Sequence, residues 1–369
     1  MASEGPSAGP AVTSRVVRSV SQFAAMADDW DALAARFESP LLRHDWFLSC
    51  AEACHGEGDL AVVAVYQHGR LIAAAPLARA RQGLTVRLEF LGMAVLQEPA
   101  GLLYESKQAL AHLAQALVAL GPPVVLARLD AGGPIEAAMR AAVGRRGLVV
   151  VRQTWPALRV RVSGDWDAYQ RTLSSRLTSN VPRLRKRAAR LGAVVTEVLA
   201  PADGDVEALL RTVMDVEGSG WKGRQGSALR NRTMLRGFVE RYAHRAARSG
   251  RLRVALLRIG DRVAAVELAV EDFQRWWQLK IGFADDFAEL YPGLQLTHET
   301  VRHAFERRLL GYEFLGSAAE WERRWNPEER AFELCVTYPA TLAGGLGLAT
   351  DVANKIWGRL DGFIRRPRA

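Results

Sequence analysis

Strand and helix patterns that alternate, and then alternate again in the same order, predict an α/β protein of two tandem mixed-sheet domains with helices on both faces. Three observations carry this expectation. Apolar residues switch repeatedly between the two-residue spacing of strands and the three-to-four spacing of helices. The order of elements before Trp155-Pro156 recurs after it. Finally, Gln67-His-Gly-Arg-Leu-Ile-Ala-Ala-Ala-Pro-Leu77 and Ile259-Gly-Asp-Arg-Val-Ala-Ala-Val-Glu-Leu268 read as one hairpin written twice, the mark of an internal duplication. With 369 residues, 49% of them hydrophobic, the chain is long enough for each half to bury its own core.

In chain order, residues 1–14, rich in Ser, Gly, Pro and Ala, read as a disordered leader. A first domain over 15–155 opens with a strand at Arg15–Val20 and helices at Phe23–Phe37 and Pro40–Cys54. Strands at Leu60–Tyr66 and Arg70–Arg79 flank His68-Gly69, a hairpin signal. A strand at Leu84–Leu91, a helix at Lys107–Ala119, a strand at Val124–Leu129, a helix at Ile135–Arg145 and a strand at Leu148–Gln153 follow. The second domain, 156–340, begins with helices at Trp166–Leu177 and Pro182–Leu191, proline being suited to a first helical turn. Next come a strand at Val194–Leu199, helices at Val206–Val216 and Arg230–Ser249, and three strands, Leu252–Arg258, Arg262–Val270 and Arg275–Gly282. A helix at Leu294–Leu309, a strand at Tyr312–Leu315, a helical stretch at Ala319–Trp325 and a strand at Ala331–Thr337 close it. In the tail, 341–369, the residues Leu346 to Ile364 place Leu346, Ala349, Ala353, Ile356, Trp357, Leu360, Phe363 and Ile364 on one helical face with a basic end. That pattern fits an amphipathic helix resting on an anionic membrane surface, or one docked on its own domain or on a dimer mate.

The net charge of +9 is local. Ser174–Gly192 carries six basic residues and no acid, and Lys355–Ala369 carries five against Asp361, so the remainder is near neutral. Anionic partners at two places are implied, and no DNA-coated surface. No apolar run reaches bilayer-spanning length, and the N-terminus lacks the basic and apolar regions of a secretion signal, which places the protein in the cytoplasm, with the inner membrane face open to the tail. Cys50, Cys54 and Cys335 stand without histidines at ligand spacing, and His298 and His303, five apart, point to different faces, so no metal is expected.

Three segments of the second domain have chemical potential. Glu217-Gly-Ser-Gly-Trp-Lys-Gly-Arg-Gln-Gly-Ser-Ala-Leu229 is a glycine-rich loop holding an acid, an aromatic ring and a lysine. Tyr291-Pro-Gly-Leu-Gln-Leu296 starts a helix directly after a central strand, where the amides of Gly293, Leu294, Gln295 and Leu296 could face a pyrophosphate. Gly311-Tyr-Glu-Phe-Leu-Gly-Ser-Ala-Ala-Glu-Trp-Glu-Arg-Arg-Trp325 returns a strand and turn beside that helix. Glu267 interrupts an apolar strand, where a buried acid is costly without a role.

Together these segments resemble the tandem GNAT-like N-acetyltransferases of the CelD-like, cellulose-biosynthesis type; the likeness covers about residues 165–330 well and the first half through order of elements alone. The resemblance implies a fold of two GNAT-like domains and an acyl-CoA co-substrate bound where two strands splay, with its thioester carbonyl on the Arg275–Gly282 strand. Cofactor contacts are then expected from Lys280, Gly293, Leu294, Gln295 and Leu296, and substrate contacts from Trp221, Lys222, Tyr291, His298 and Glu320. Direct N-acyl transfer needs a base for the amine proton, for which Glu217 and Glu267 are the candidates, and an acid for the leaving thiolate, for which Tyr312 is. The chain lacks the Gln/Arg-x-x-Gly-x-Gly loop of ordinary members, and Glu322 stands where many carry a lysine. The broad family includes bacterial ceramide synthases, which points to a sphingoid-type lipid amine as acceptor. Two rivals are a Fem-type transferase, whose aminoacyl-tRNA donor is disfavoured because no coiled-coil insertion is evident, and a catalytically silent scaffold of envelope or polysaccharide synthesis.

Overall fold

The computed structural model describes residues 12–56, 58–83, 85–219, 229–316 and 318–364, with side chains to 355. The first half runs β1 (Val12–Val17), α1 (Val20–Ala24), α2 (Ala27–Ala34), α3 (His44–Cys54), β2 (Val62–Gln67), β3 (Arg70–Ala75), β4 (Leu77–Gln82), β5 (Thr85–Phe90), α4 (Met93–Leu96), β6 (Leu103–Tyr104), α5 (Lys107–Ala119), β7 (Val124–Asp130), α6 (Pro134–Val143) and β8 (Leu148–Gln153). The second runs β9 (Ala157–Arg161), α7 (Trp166–Gln170), α8 (Ser175–Ala188), β10 (Val194–Leu199), α9 (Val206–Ser219), α10 (Thr233–Arg248), β11 (Leu252–Ile259), β12 (Arg262–Asp272), β13 (Arg275–Phe283), α11 (Pro292–Glu306), β14 (Gly311–Glu313), β15 (Glu328–Arg330), β16 (Phe332–Tyr338) and α12 (Leu342–Ile364). The expected leader lies outside the described residues up to position 11, and its last three residues belong to β1, which pairs with β2 from Val12↔Gln67 onward.

The duplicated hairpin is visible in the register. Gln67 pairs with Arg70 and Ile259 with Arg262, and each hairpin carries a bulge just before the turn, at Val65/Tyr66 and at Leu257/Arg258. A bulge adds local twist, so both copies coil their sheets at the same point. The result is the mixed α/β architecture expected, with two tandem halves.

The sheets do not keep to those halves. In the five-stranded sheet β16, from the end of the chain, lies between β7 and β8, with Cys335 opposite Leu126 on one side and Val151 on the other. In the seven-stranded sheet β9, which follows the first half, lies between β14 and β15, pairing Val160 with Tyr312 and Leu158 with Glu329. The second half thus lends β16 to the sheet of the first, while β9, just past Trp155-Pro156, completes its own. β9 is absent from the sequence reading, yet its Ala-Leu-Arg-Val-Arg alternates correctly: Leu158 and Val160 are buried, while Arg159 and Arg161 reach outward to Glu328.

Two helices differ from expectation for physical reasons. The single helix expected over 23–37 is broken at Ala25–Met26, and the break lets Phe23 and Trp30 meet edge-on at 5.2 Å in one core. Pro182 was expected to open a helix, but α8 begins at Ser175, capped by the Ser174 hydroxyl, which accepts from the Leu177 amide, and runs through the proline. An internal proline costs about 3 kcal/mol. Leu177, Val181 and Leu184 are buried on one face, and at roughly 1.5–3 kcal/mol each they outweigh that cost.

The halves also share a core. Trp46 of α3 packs edge-on against Phe238 and Tyr242 of α10, at 4.8 and 5.0 Å. Arg43 holds Asp272 at 2.6 Å across the same boundary, and Arg251 pairs with Asp45. No described helix is long and apolar enough to cross a membrane.

Candidate active site

β13 is the strand on which the site is built. It pairs antiparallel with β12 along its length but parallel with β14 only at Arg275↔Gly311, Trp276↔Tyr312 and Trp277↔Glu313. Beyond Trp277 the two strands part, because β14 is three residues long and the chain then turns through positive φ at Leu315, Gly316 and Ala318. The Arg128 guanidinium and the Glu98 carboxylate pin that turn through the carbonyl and amide of Gly316, at 2.8 and 2.9 Å.

The parting leaves a cleft of about 390 Å³. Ile281 and Phe283 of β13 form one wall, Leu294 and Trp321 face them, and Glu217 and Arg324 supply the charges. Glu217 closes the last turn of α9, buried, with the Leu229 amide donating to its Oε2 at 2.8 Å. It can lie this close to β13 because residue 282 is glycine: a Cβ there would sit 2.8 Å from the Cβ of Glu217. The floor at the other end is the start of α11. Tyr291 holds the left-handed conformation (φ 50°, ψ 53°) and makes no side-chain cap, and Pro292 sets the first turn. The first intrahelical bond is from the Gln295 amide to the Tyr291 carbonyl, so the amides of Gly293 and Leu294 precede it, and both residues line the cleft. The corresponding helix of the first half, α5, has its start sealed by the Ser106 hydroxyl, which accepts from the Ala109 amide.

Beneath the point of parting lies a buried polar ring. The Glu267 carboxylate, wholly buried, accepts at Oε1 from the Trp276 indole (2.7 Å) and the Tyr312 hydroxyl (2.8 Å), and at Oε2 from the Gln278 amide (2.9 Å) and the Thr300 hydroxyl (3.1 Å). Burial pushes its pKa up to about 7 against the pull of these four donors. Burial, with the adjacent Glu267, also pushes the Tyr312 phenol well above its ordinary value. The ring ties β12, β13, β14 and α11 together where the sheet opens. Neither Glu267 nor Tyr312 is among the residues lining the cleft.

The remaining sequence candidates scatter. Tyr291, more than half exposed, stands at the cleft mouth. Gln295 and Leu296 face inward, Gln295 donating to the Leu290 carbonyl at 2.8 Å and Leu296 packing with Ala255, Leu257 and Ala265. Lys280 lies away from the cleft lining, in a small cavity between the halves that Glu98 and Tyr242 also line. His298 packs edge-on against Trp166 at 5.0 Å, and Glu320 is exposed. Trp221 and Lys222 lie outside the described residues. Among the described residues no three His, Cys, Asp or Glu side chains gather closely enough to hold a metal ion. Ile281, Phe283 and Arg324 were not singled out from sequence. The alternation of β13 and the Trp321–Arg324 spacing would have pointed to them.

Next to the cleft runs a second groove of about 400 Å³, which shares Tyr291, Leu294 and Arg324 with it. Its other side is α8, through Arg176, Asn180, Arg183 and Arg187, part of the basic run that stood out in the sequence.

Residues 175–323 match the family model of the acetyltransferase (GNAT) domain, and the chain therefore carries a GNAT-like domain in its second half. Among solved structures, FemX matches with a TM-score of 0.58 at 11% identity, covering 86% of this chain and 96% of that one. L-PGS from Bacillus licheniformis matches with a TM-score of 0.54 at 10% identity, covering 90% and 96%. A conserved protein of unknown function from Bacteroides thetaiotaomicron matches with a TM-score of 0.54 at 10% identity, covering 84% and 97%. These likenesses are of fold, and they extend over both halves. No curated protein matches the chain.

Proposed function

We propose that this chain is an acyltransferase that moves an acyl group from a CoA thioester to a primary amine, with the parting of β13 from β14 as its active cleft. The observation that carries the reading is the conjunction of three features: an opened parallel strand pair, an uncapped helix start at its end, and a carboxylate, Glu217, in its wall. In this reading the amine attacks the thioester carbonyl, a C–N bond forms and the C–S bond breaks. Glu217 accepts the amine proton, and backbone amides on the opened edge of β13 hold the oxygen that becomes negative. Gly293 and Leu294 face the donor's diphosphate. Glu267 and Tyr312 act from beneath by holding the opened strand in place rather than by touching substrate.

An apolar wall of Ile281, Phe283, Leu294 and Trp321 suits a long acyl or alkyl chain. α12 adds to this: it docks through Gly347 on Pro123 and through the Arg87–Asp351 pair, while Leu342, Leu346 and Val352 face outward. A sphingoid-type lipid amine met at an anionic membrane surface is the acceptor we infer. The test is turnover of acyl-CoAs of graded chain length with lipid and soluble amines. Release of free thiol with no lipid amine acylated removes the acceptor assignment, and no binding of any CoA thioester removes the donor.

A second reading, an aminoacyl-tRNA donor as in Fem-type transferases, has the arginine-lined groove in its favour. Its signature is affinity for tRNA that falls steeply with salt.

A further inference from the structure

We infer that the groove along α8 is a subsite for the nucleoside phosphates of the donor, read by Arg176, Arg183, Arg187 and Arg324. This rests on the reading of the adjoining cleft as the thioester site. Residues 176, 180, 183 and 187 are spaced four, three and four apart, which puts them in one row on the helix. The row is about 16 Å long at the α-helical rise. All four line the groove, and because it shares Tyr291, Leu294 and Arg324 with the cleft, a single ligand can run through both.

The charge in this row is left available. Arg245, Arg253 and Arg161 elsewhere on the molecule pair with carboxylates at 2.7–3.0 Å. Arg185, on the same helix but off the row, pairs with Glu299 at 3.1 Å. Among the described residues no carboxylate pairs with Arg176, Arg183 or Arg324, and Arg187 reaches only the exposed Glu289 at 3.9 Å. Asn180 accepts from Arg183 at 2.6 Å and so orients it without neutralising it. Like charges in one row repel, so the row has no stabilising function of its own, whereas guanidinium groups bind phosphate through paired N–H donors. The extent of the row decides the ligand class. It matches a nucleotide with a diphosphate arm, and outside this helix and the basic tail the near-neutral chain offers no broad positive face for an RNA.

The test compares two thioesters, an acyl-CoA and the same acyl-pantetheine, which lacks the nucleotide, on the full chain and on an Arg183→Ala, Arg187→Ala double variant. Both positions are exposed, and thermal melting checks that the variant folds. The preference for acyl-CoA over acyl-pantetheine, as a ratio of kcat/KM values, should fall at least tenfold. Adenosine 3′,5′-bisphosphate should bind the parent chain and bind the variant at least tenfold more weakly; an Arg183→Lys variant should recover part of this. An unaltered preference ratio, or loss of tRNA binding with adenosine 3′,5′-bisphosphate binding intact, overturns the subsite. If neither thioester turns over while nucleotide binding is lost in the variant, the subsite stands and the acyl-CoA reading falls.

Discussion

Glu217 and Glu267 are two buried carboxylates with opposite surroundings, and the difference separates their roles. Glu217 accepts from the Leu229 amide and lines the cleft. Glu267 is enclosed by four donors and faces no space. Replacing Glu217 with Gln should lower kcat about 100-fold or more with little effect on donor KM, as loss of a general base does; steady-state kinetics with an amine acceptor would show it. For Glu267 the prediction concerns stability. Its pKa is about 7 in the folded chain against 4.5 unfolded, so between these values the native state holds a proton that the unfolded state has lost. Stability therefore declines as pH rises from 4.5 to 7 and levels off above, by about 3 kcal/mol at most. In Glu267→Gln that decline should shrink, which urea titrations at pH 5 and pH 8 would reveal.

At the scale of elements, the cleft depends on one close contact and one open end. The contact is α9 against β13 at Gly282. Gly282→Ala places a Cβ 2.8 Å from that of Glu217, so α9 must move outward. The expected cost is about 1–3 kcal/mol of stability, with turnover falling more than stability does because the carboxylate moves with the helix. Denaturant unfolding and kinetics on the same sample separate the two. The open end is the start of α11, which Tyr291 leaves uncapped while Ser106 seals α5. A second docking contact, of α12 on the sheet of the first half, also relies on glycine, since a Cβ on Gly347 would overlap the Pro123 ring. Gly347→Val should free the helix, and hydrogen exchange over 342–355 should accelerate while β5 and β16 keep their protection.

On the scale of the whole molecule, the insertion of β16 into the sheet of the first half makes each half depend on the other. Without β16 the strands β7 and β8 have no common neighbour, and β16 kept apart from them has no strand to pair with. Expressed separately, residues 12–155 and 156–340 should each fail to reach a native fold, because each would expose unpaired strand edges and the faces of α3 and α10 that bury Trp46, Phe238 and Tyr242. Co-expression should restore a complex. The intact chain should unfold in one transition; two well-separated calorimetric peaks would contradict the interdependence.

Local spacing in the sequence determined the alternating elements, the repeated hairpin, the Pro-Gly helix start and the basic run, since each depends on residues within a turn or two of one another. The same information could mark Glu267 as an anomaly in an apolar strand, but not name Trp276, Gln278, Thr300 and Tyr312 as its donors. Tertiary structure alone decided which strand completes which sheet, that Trp321 and Arg324 share a cleft with Glu217, and that α12 docks through Gly347 and turns its leucines outward. These depend on pairings between segments up to 264 residues apart. Strand registry and helix docking minimise the free energy of the whole assembly, and no single segment carries that minimum in its own pattern.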